Sequence, residues 1–101
     1  MVVYNITLKV EPSIAPQWLQ WQKEVHIPDV MATGLFDSFR FYRLLEQDET
    51  DGPTFIVQYF AKSKENYEEY IGKYASVMRR KLTDKWGDRL VAFRTLMETV
   101  Q

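Results

Sequence analysis

The hydrophobic pattern of the chain switches its period between two and about 3.6, and this limits the possible folds more than any other property of the sequence. Residues 2–10 (VVYNITLKV) alternate between an apolar and a mixed face, which predicts a β-strand. In the following EPSIAPQWLQWQKEVH, apolar residues recur every three or four positions, which predicts a helix capped by Ser13. We expect Pro28 to break or kink this helix near Ile27 and to begin a short helical restart, and Gly34 to end that restart.

The rest of the chain predicts three more strands and a second helix. The strands are expected over residues 35–47, 54–62 and 89–100, and the helix over residues 63–87. The short loop DETDGP predicts an antiparallel hairpin between the first two of these strands. Right-handed connections of this β-α-β-β-α-β order favour a ferredoxin-like α+β fold, with a four-stranded antiparallel sheet and two helices on one face. The length of 101 residues predicts a single domain over 1–101.

Composition argues against several classes of function. A formal net charge of −1 argues against a nucleic-acid partner, although RNA-recognition modules share this order of elements. The chain has no cysteine and one histidine, which excludes thiolate catalysis and a multi-histidine zinc site within one chain. We therefore predict no metal and no cofactor. Apolar runs are too short for a membrane span, and the beginning of the sequence lacks signal-peptide features, so we expect a cytoplasmic protein without a membrane partner.

The sheet face that the helices leave uncovered is expected to decide the function. We expect the helices to cover the more apolar strand faces, which carry Tyr4, Ile6, Leu8, Val91, Phe93 and Met97. The opposite face is then expected to present a mixture of polar, charged and apolar side chains: Asn5, Thr7, Ser38, Arg40, Tyr42, Ile56, Gln58, Phe60, Ala92, Arg94 and Leu96. Such a mixture suits either a ligand cleft or a subunit interface.

Six residues are candidates for binding a ligand near this face: Asn5, Asp29, Arg40, Tyr42, Gln58 and Arg94. In the functional interpretation, Arg40 and Arg94 converge on an anionic group such as a carboxylate, which the planar guanidinium suits. In the alternative, they pair with Glu46, Glu98 or the acidic residues of a partner chain across a dimer contact, because interfaces are rich in arginine.

His26 is the candidate catalytic residue. Its ordinary pKa lies near neutrality, so it could move a proton if it faced the cleft, and Asp29 could orient its ring. The structural alternative places His26 at the end of the first helix, where the dipole favours it and the last carbonyls can accept its hydrogen bonds.

Several segments together resemble a known bacterial family. YNITLKV, the tryptophan pair before HIPDVMATGLF, VQYFA, WGDRL and AFRT are similar to the DUF4286-type domain of unknown function. The chain is also similar, more distantly, to the dimeric α+β barrel superfamily, which includes cofactorless monooxygenases, isomerases and haem enzymes. This resemblance implies a homodimer in which two sheets pack face to face and enclose clefts. It transfers no catalytic motif, since none matches residue by residue.

Two hypotheses about function follow. In the first, the protein is a homodimer that binds or transforms a small anionic, aromatic or lipid-like compound in the cleft between the sheets. In the second, it is a non-enzymatic interaction or structural dimer whose interface fills that face. The sequence shows no complete set of catalytic residues, so it leaves open whether the protein is an enzyme.

Overall fold

The computed structural model describes all 101 residues and has the predicted β-α-β-β-α-β order. Its elements are β1 (Val2–Val10), α1 (Ala15–Trp21), a π-helical turn (Gln22–His26), α2 (Ile27–Met31), β2 (Ser38–Arg43), β3 (Thr54–Ala61), α3 (Lys64–Lys73), α4 (Ala75–Trp86) and β4 (Leu90–Glu98). The strands form one antiparallel sheet in the order β2-β3-β1-β4. This confirms the predicted ferredoxin-like fold class. None of the helices is long and apolar enough to span a membrane.

The core lies between the sheet and the helical layer. Trp18 of α1 is fully buried, and its ring centroid lies 5.2 Å from that of Phe55 on β3. The ring of Tyr4 on β1 packs against those of Phe36 and Tyr70, with centroid distances of 6.3 Å and 5.9 Å. These large aromatic contacts fix the helices over the central strands β1 and β3.

The first helical arm continues through Pro28 without a break at Ile27, and Pro28 lies in the first turn of α2, as predicted for the restart. Ile27 keeps helical dihedral angles of φ −60° and ψ −46°. Its N–H donates to the carbonyl of Gln22, five residues earlier, which defines the π-helical turn. Proline has no N–H to donate, and its ring crowds the carbonyl four residues before it. The wider turn directly before Pro28 accommodates this ring, and the arm ends at Gly34, whose φ of 78° has the sign expected of a helix-ending glycine.

The second arm consists of two helices. Ser63 caps α3, because its Oγ accepts a hydrogen bond from the N–H of Asn66 at 3.2 Å. The backbone leaves helical geometry at Tyr74, with φ −123°, and α4 begins at the next residue. The arm ends at Gly87, as expected.

Strand register corrects one important prediction, the orientation of β4. Thr7 of β1 pairs with Phe93, and Ile6 pairs with Arg94. Because paired residues of an antiparallel sheet point to the same side, Phe93 lies on the uncovered face and Arg94 lies under the helices. The uncovered side of β4 therefore carries Val91, Phe93, Thr95 and Met97, and the covered side carries Leu90, Ala92, Arg94 and Leu96. The predicted faces of β4 are wrong because both sides of this strand are apolar, so hydrophobicity alone does not determine its register.

Candidate functional site

The uncovered sheet surface, called the open face below, carries four of the predicted site residues. Arg40, Gln58 and Asn5 pair across β2, β3 and β1, and Asn5 in turn pairs with Thr95 of β4. The Nε2 of Gln58 donates to Oδ1 of Asn5 at 3.3 Å. Tyr42 lies two residues beyond Arg40 on the same side of β2. The prediction placed these four residues on the correct face, and Arg40, Gln58 and Asn5 form a polar row across the sheet.

Apolar rows lie on both sides of this polar row. One row contains Tyr42, Ile56, Thr7 and Phe93, and the other contains Ser38, Phe60, Val3 and Met97. Phe93 is 65% exposed, and Tyr42, Val91 and Met97 are exposed as well. Large exposed apolar side chains on one sheet face make this face a candidate interaction surface.

A second concentration of polar residues lies on the other side of the sheet, in a pocket beneath the helices. Its free volume is about 20 Å³. Six polar or ionisable side chains line it: Tyr4, Gln22, His26, Tyr70, Arg79 and Arg94. Three buried polar atoms of these residues have no hydrogen-bond partner: Oε1 of Gln22, Nδ1 of His26 and Nε of Arg94. We call this site the helix-side pocket.

His26 points into the helix-side pocket and is only 8% exposed. Its ring stacks on that of Trp21, with centroids 4.7 Å apart. Burial lowers the pKa of His26 from 6.5 to about 4, because desolvation disfavours the imidazolium. Asp29 opposes this shift, while Lys81 and Arg94 add to it. The imidazole is therefore neutral at pH 7, and His26 ends the π-helical turn within the continuous arm and not at the C-terminal end of that arm.

Asp29 takes a different role from the one expected. Its carboxylate accepts a hydrogen bond from Nζ of Lys81 at 3.4 Å, which ties α2 to α4. It forms no hydrogen bond with His26. Asp29 therefore acts on the imidazole through its charge and does not orient the ring.

Arg94 and Arg40 lie on opposite sides of the sheet, so the predicted convergence of these two arginines is wrong. Arg40 is exposed and donates from Nη1 to the carbonyl of Phe39 at 3.0 Å. Arg94 lines the helix-side pocket together with His26. Neither arginine forms an ion pair, with Glu46, Glu98 or any other acid of this chain.

Four pocket residues were missed by the sequence analysis: Tyr4, Gln22, Tyr70 and Arg79. Gln22 follows Trp18 by four positions and precedes His26 by four, a spacing that could have placed it on the same side of the arm. Arg79 donates from Nη2 to the hydroxyl of Tyr4 at 3.1 Å, and this hydrogen bond raises the pKa of Arg79. No local pattern in the sequence indicates that contact, since it joins residues 75 positions apart.

The pocket has the chemistry of a polar binding site and not of a metal centre. No three histidine, cysteine or acidic residues are grouped so that they could hold a metal ion. Burial raises the pKa of Tyr70 above its usual value, so its hydroxyl is protonated. The site can thus offer donors from Arg94, Arg79 and Tyr70, while His26 and Gln22 can each donate or accept.

The strand order and the helical layer define a ferredoxin-like α+β protein. The chain belongs to the family described as "Domain of unknown function (DUF4286)", which matches residues 1–100. No curated protein sequence matches the chain.

Solved structures share the fold at low sequence identity. A dimeric ferredoxin-like protein from an uncultured marine organism is 8% identical, with a TM-score of 0.75 over 99% of this chain and 95% of that one. The cofactor-independent oxygenase SnoaB from Streptomyces nogalater is 8% identical, with a TM-score of 0.70 over 99% and 93%. An ethyl tert-butyl ether (EthD) family protein from Bacillus halodurans is 13% identical, with a TM-score of 0.68 over 99% and 100%. At these identities the likeness establishes the fold alone.

Proposed function

We propose that the protein is a homodimer in which the two open faces pack together and each protomer binds a small molecule in its helix-side pocket. The observation that supports this most strongly is the convergence of three unpartnered polar atoms, from Gln22, His26 and Arg94, on one cavity. The cytoplasmic location and the lack of a nucleic-acid or membrane partner stay predictions from the sequence.

The energetic argument for a ligand rests on the cost of unpaired polar groups. Each buried polar atom without a partner costs about 1–3 kcal/mol, so native proteins rarely keep several around one cavity. Gln22 is 2% exposed and His26 is 8% exposed, so bulk water does not offset this cost. A ligand that accepts a hydrogen bond from Nε of Arg94 and donates one to Oε1 of Gln22 would offset much of this cost.

The argument for a dimer rests on the open face. A chain of 101 residues leaves much of its apolar surface exposed, and here that surface is concentrated around Phe93. Arg40, Gln58 and Asn5 would then form a polar row within the dimer contact. We therefore assign these three predicted ligand residues to the interface and keep Arg94 for the ligand.

Catalysis in the pocket would depend on His26. With a pKa of about 4, its neutral imidazole is a weak base in the unliganded protein. An anionic ligand next to the ring would raise this pKa towards neutrality, where proton transfer is more effective. His26 is thus a candidate catalytic residue whose basicity the ligand itself would determine.

A structural dimer without a ligand is the second candidate function, and the small size of the pocket favours it. A free volume of about 20 Å³ has room for one water molecule. A single buried water could bond the unpartnered atoms of Gln22, His26 and Arg94.

Two arginine variants distinguish the pocket from the open face. A fragment library is screened by NMR against the wild-type protein, Arg94→Leu and the matched control Arg40→Leu. Because Arg94 lines the helix-side pocket, we expect fragments that bind the wild type to lose binding in Arg94→Leu and to keep it in Arg40→Leu. The opposite result would move the site to the cleft between the sheets. A wild-type protein that binds no fragment would support the structural dimer.

A further inference from the structure

We infer that the helix-side pocket selects a small carboxylate or a comparable anion, and that Arg79 closes over it as the second arm of a two-arginine clamp with Arg94. This inference rests on the proposed function, because it specifies the ligand of the same pocket.

The charges around the pocket are one-sided. Arg79 and Arg94 both line it, and no aspartate or glutamate does. Neither arginine forms an ion pair in the structure. The nearby carboxylate of Asp29 is engaged by Lys81. A guanidinium with its Nε buried and unpaired is costly, and an anion is the ligand that offsets this cost best.

Tyr70 lines the same pocket as the two guanidinium groups. Arg79 and Arg94 both lower the pKa of this phenol, against the larger upward effect of burial. The protonated hydroxyl can therefore donate a hydrogen bond beside two positive charges. A carboxylate has two oxygens with several lone pairs, which suits two guanidinium groups and one hydroxyl.

Arg79 is the part of the pocket that can move. It is exposed on α4 and is held over the pocket by one hydrogen bond, at 3.1 Å, to the hydroxyl of Tyr4. Tyr4 is itself 2% exposed and fixed within the aromatic core. With a free volume of about 20 Å³, the closed pocket admits a larger molecule only if a lining side chain moves away. Arg79 is free to do so and can then return to bind the anionic group of the ligand.

Pairs of probes that differ in charge and little in shape test the selection of an anion. Acetate is compared with acetamide, and benzoate with benzamide, at constant ionic strength and pH 7. Binding is followed by NMR at the side-chain amide of Gln22 and the Nε–H of Arg94. We expect each carboxylate to bind wild-type protein about tenfold or more tightly than its amide, since hydrogen bonds to charged groups are the stronger ones.

Variants of α4 test the clamp. Arg79→Gln is expected to reduce the affinity for carboxylates about tenfold and to leave the affinity for amides unchanged. Arg80→Gln is the matched control, because Arg80 is an exposed neighbour that does not line the pocket. Tyr4→Phe removes the hydrogen bond that holds Arg79, so we expect benzoate to associate several-fold faster.

Each part of the inference has its own contradicting result. Equal affinity for a carboxylate and its amide overturns the selection of an anion, even if both probes bind in the pocket. An equal loss in Arg79→Gln and Arg80→Gln overturns the clamp, because general surface charge would then explain the effect. An unchanged association rate in Tyr4→Phe overturns the movement of Arg79. The fragment screen with Arg94→Leu decides separately whether the pocket binds small molecules at all.

Discussion

At the scale of single residues, His26 connects the pocket to the stability of the fold. Its pKa is about 4 in the folded protein and near 6.5 in the unfolded chain, so the unfolded state binds the proton first as pH falls. The contribution of the neutral imidazole to the stability of the folded state is fully present above pH 6.5. It is lost as the pH falls from 6.5 towards 4. The shift corresponds to about 3 kcal/mol in the free energy of unfolding.

Urea unfolding at fixed protein concentration, repeated between pH 4 and pH 7, measures this effect against His26→Gln. The difference between the two proteins removes the titration of the carboxylates that both share. We expect the wild type to lose stability more steeply than His26→Gln over this interval. Parallel curves would show that the ring is solvated or paired in solution.

The π-helical turn changes which side chains of the first helical arm face the sheet. Ile14, Trp18, Gln22, His26 and Val30 are all buried, at a constant spacing of four. A regular helical period counted from Trp18 would place Val25 on this line, but Val25 is 43% exposed. The π-helical turn adds one residue and rotates the following side chains by roughly 100°. His26 and Val30, which follow the added residue, therefore face the sheet, and a regular helical period does not predict this.

At the scale of elements, the order of helices and strands is predictable because their hydrophobic periods differ. β1 and β3 show a clear alternation, and both their faces were predicted correctly. β4 is different because its two sides, with Phe93 on one and Leu96 on the other, are both apolar. Only its pairing with β1 determines which side meets the helices, and local sequence does not contain that information.

Glycine positions give a matched test of backbone geometry at this scale. A Cβ added to Gly52 would lie 1.8 Å from the carbonyl oxygen of Val10, at a φ of 119°. Because backbone must move to relieve this contact, we expect Gly52→Ala to lower the free energy of unfolding by more than about 2 kcal/mol. Gly72→Ala in α3 meets no neighbouring atom and is expected to raise it by up to about 1 kcal/mol.

Thermal or chemical unfolding of the two glycine variants distinguishes these effects. Equal stabilities of Gly52→Ala and the wild type would show that the β2–β3 loop leaves room for a Cβ between Gly52 and the carbonyl of Val10. A destabilised Gly72→Ala would show that α3 is not helical at this position.

At the scale of the whole molecule, we propose separate roles for the two sides of one sheet. The covered side contains the helix-side pocket, and the open face contains the apolar rows around Phe93. Phe93→Glu places a charge in the centre of the proposed contact, so we expect it to convert the dimer to a folded monomer. Val77→Glu is the matched control, because Val77 is 48% exposed on α4 of the helical layer. Sedimentation equilibrium should give a dimer for the wild type and the control.

A monomeric wild-type protein would contradict the assignment of the open face, and so would a Phe93→Glu variant that stays dimeric. Circular dichroism confirms that the variant is folded, which separates a lost interface from a lost structure.

A high-resolution crystal structure of the protein grown with acetate is the most direct test of both the proposed dimer and the proposed anion site. We expect two copies joined through their open faces, with acetate bound in each helix-side pocket to Arg94 and Arg79 and in contact with His26 or Gln22. A single water in that pocket, with acetate absent or bound between the sheets at Arg40, would contradict the proposed site.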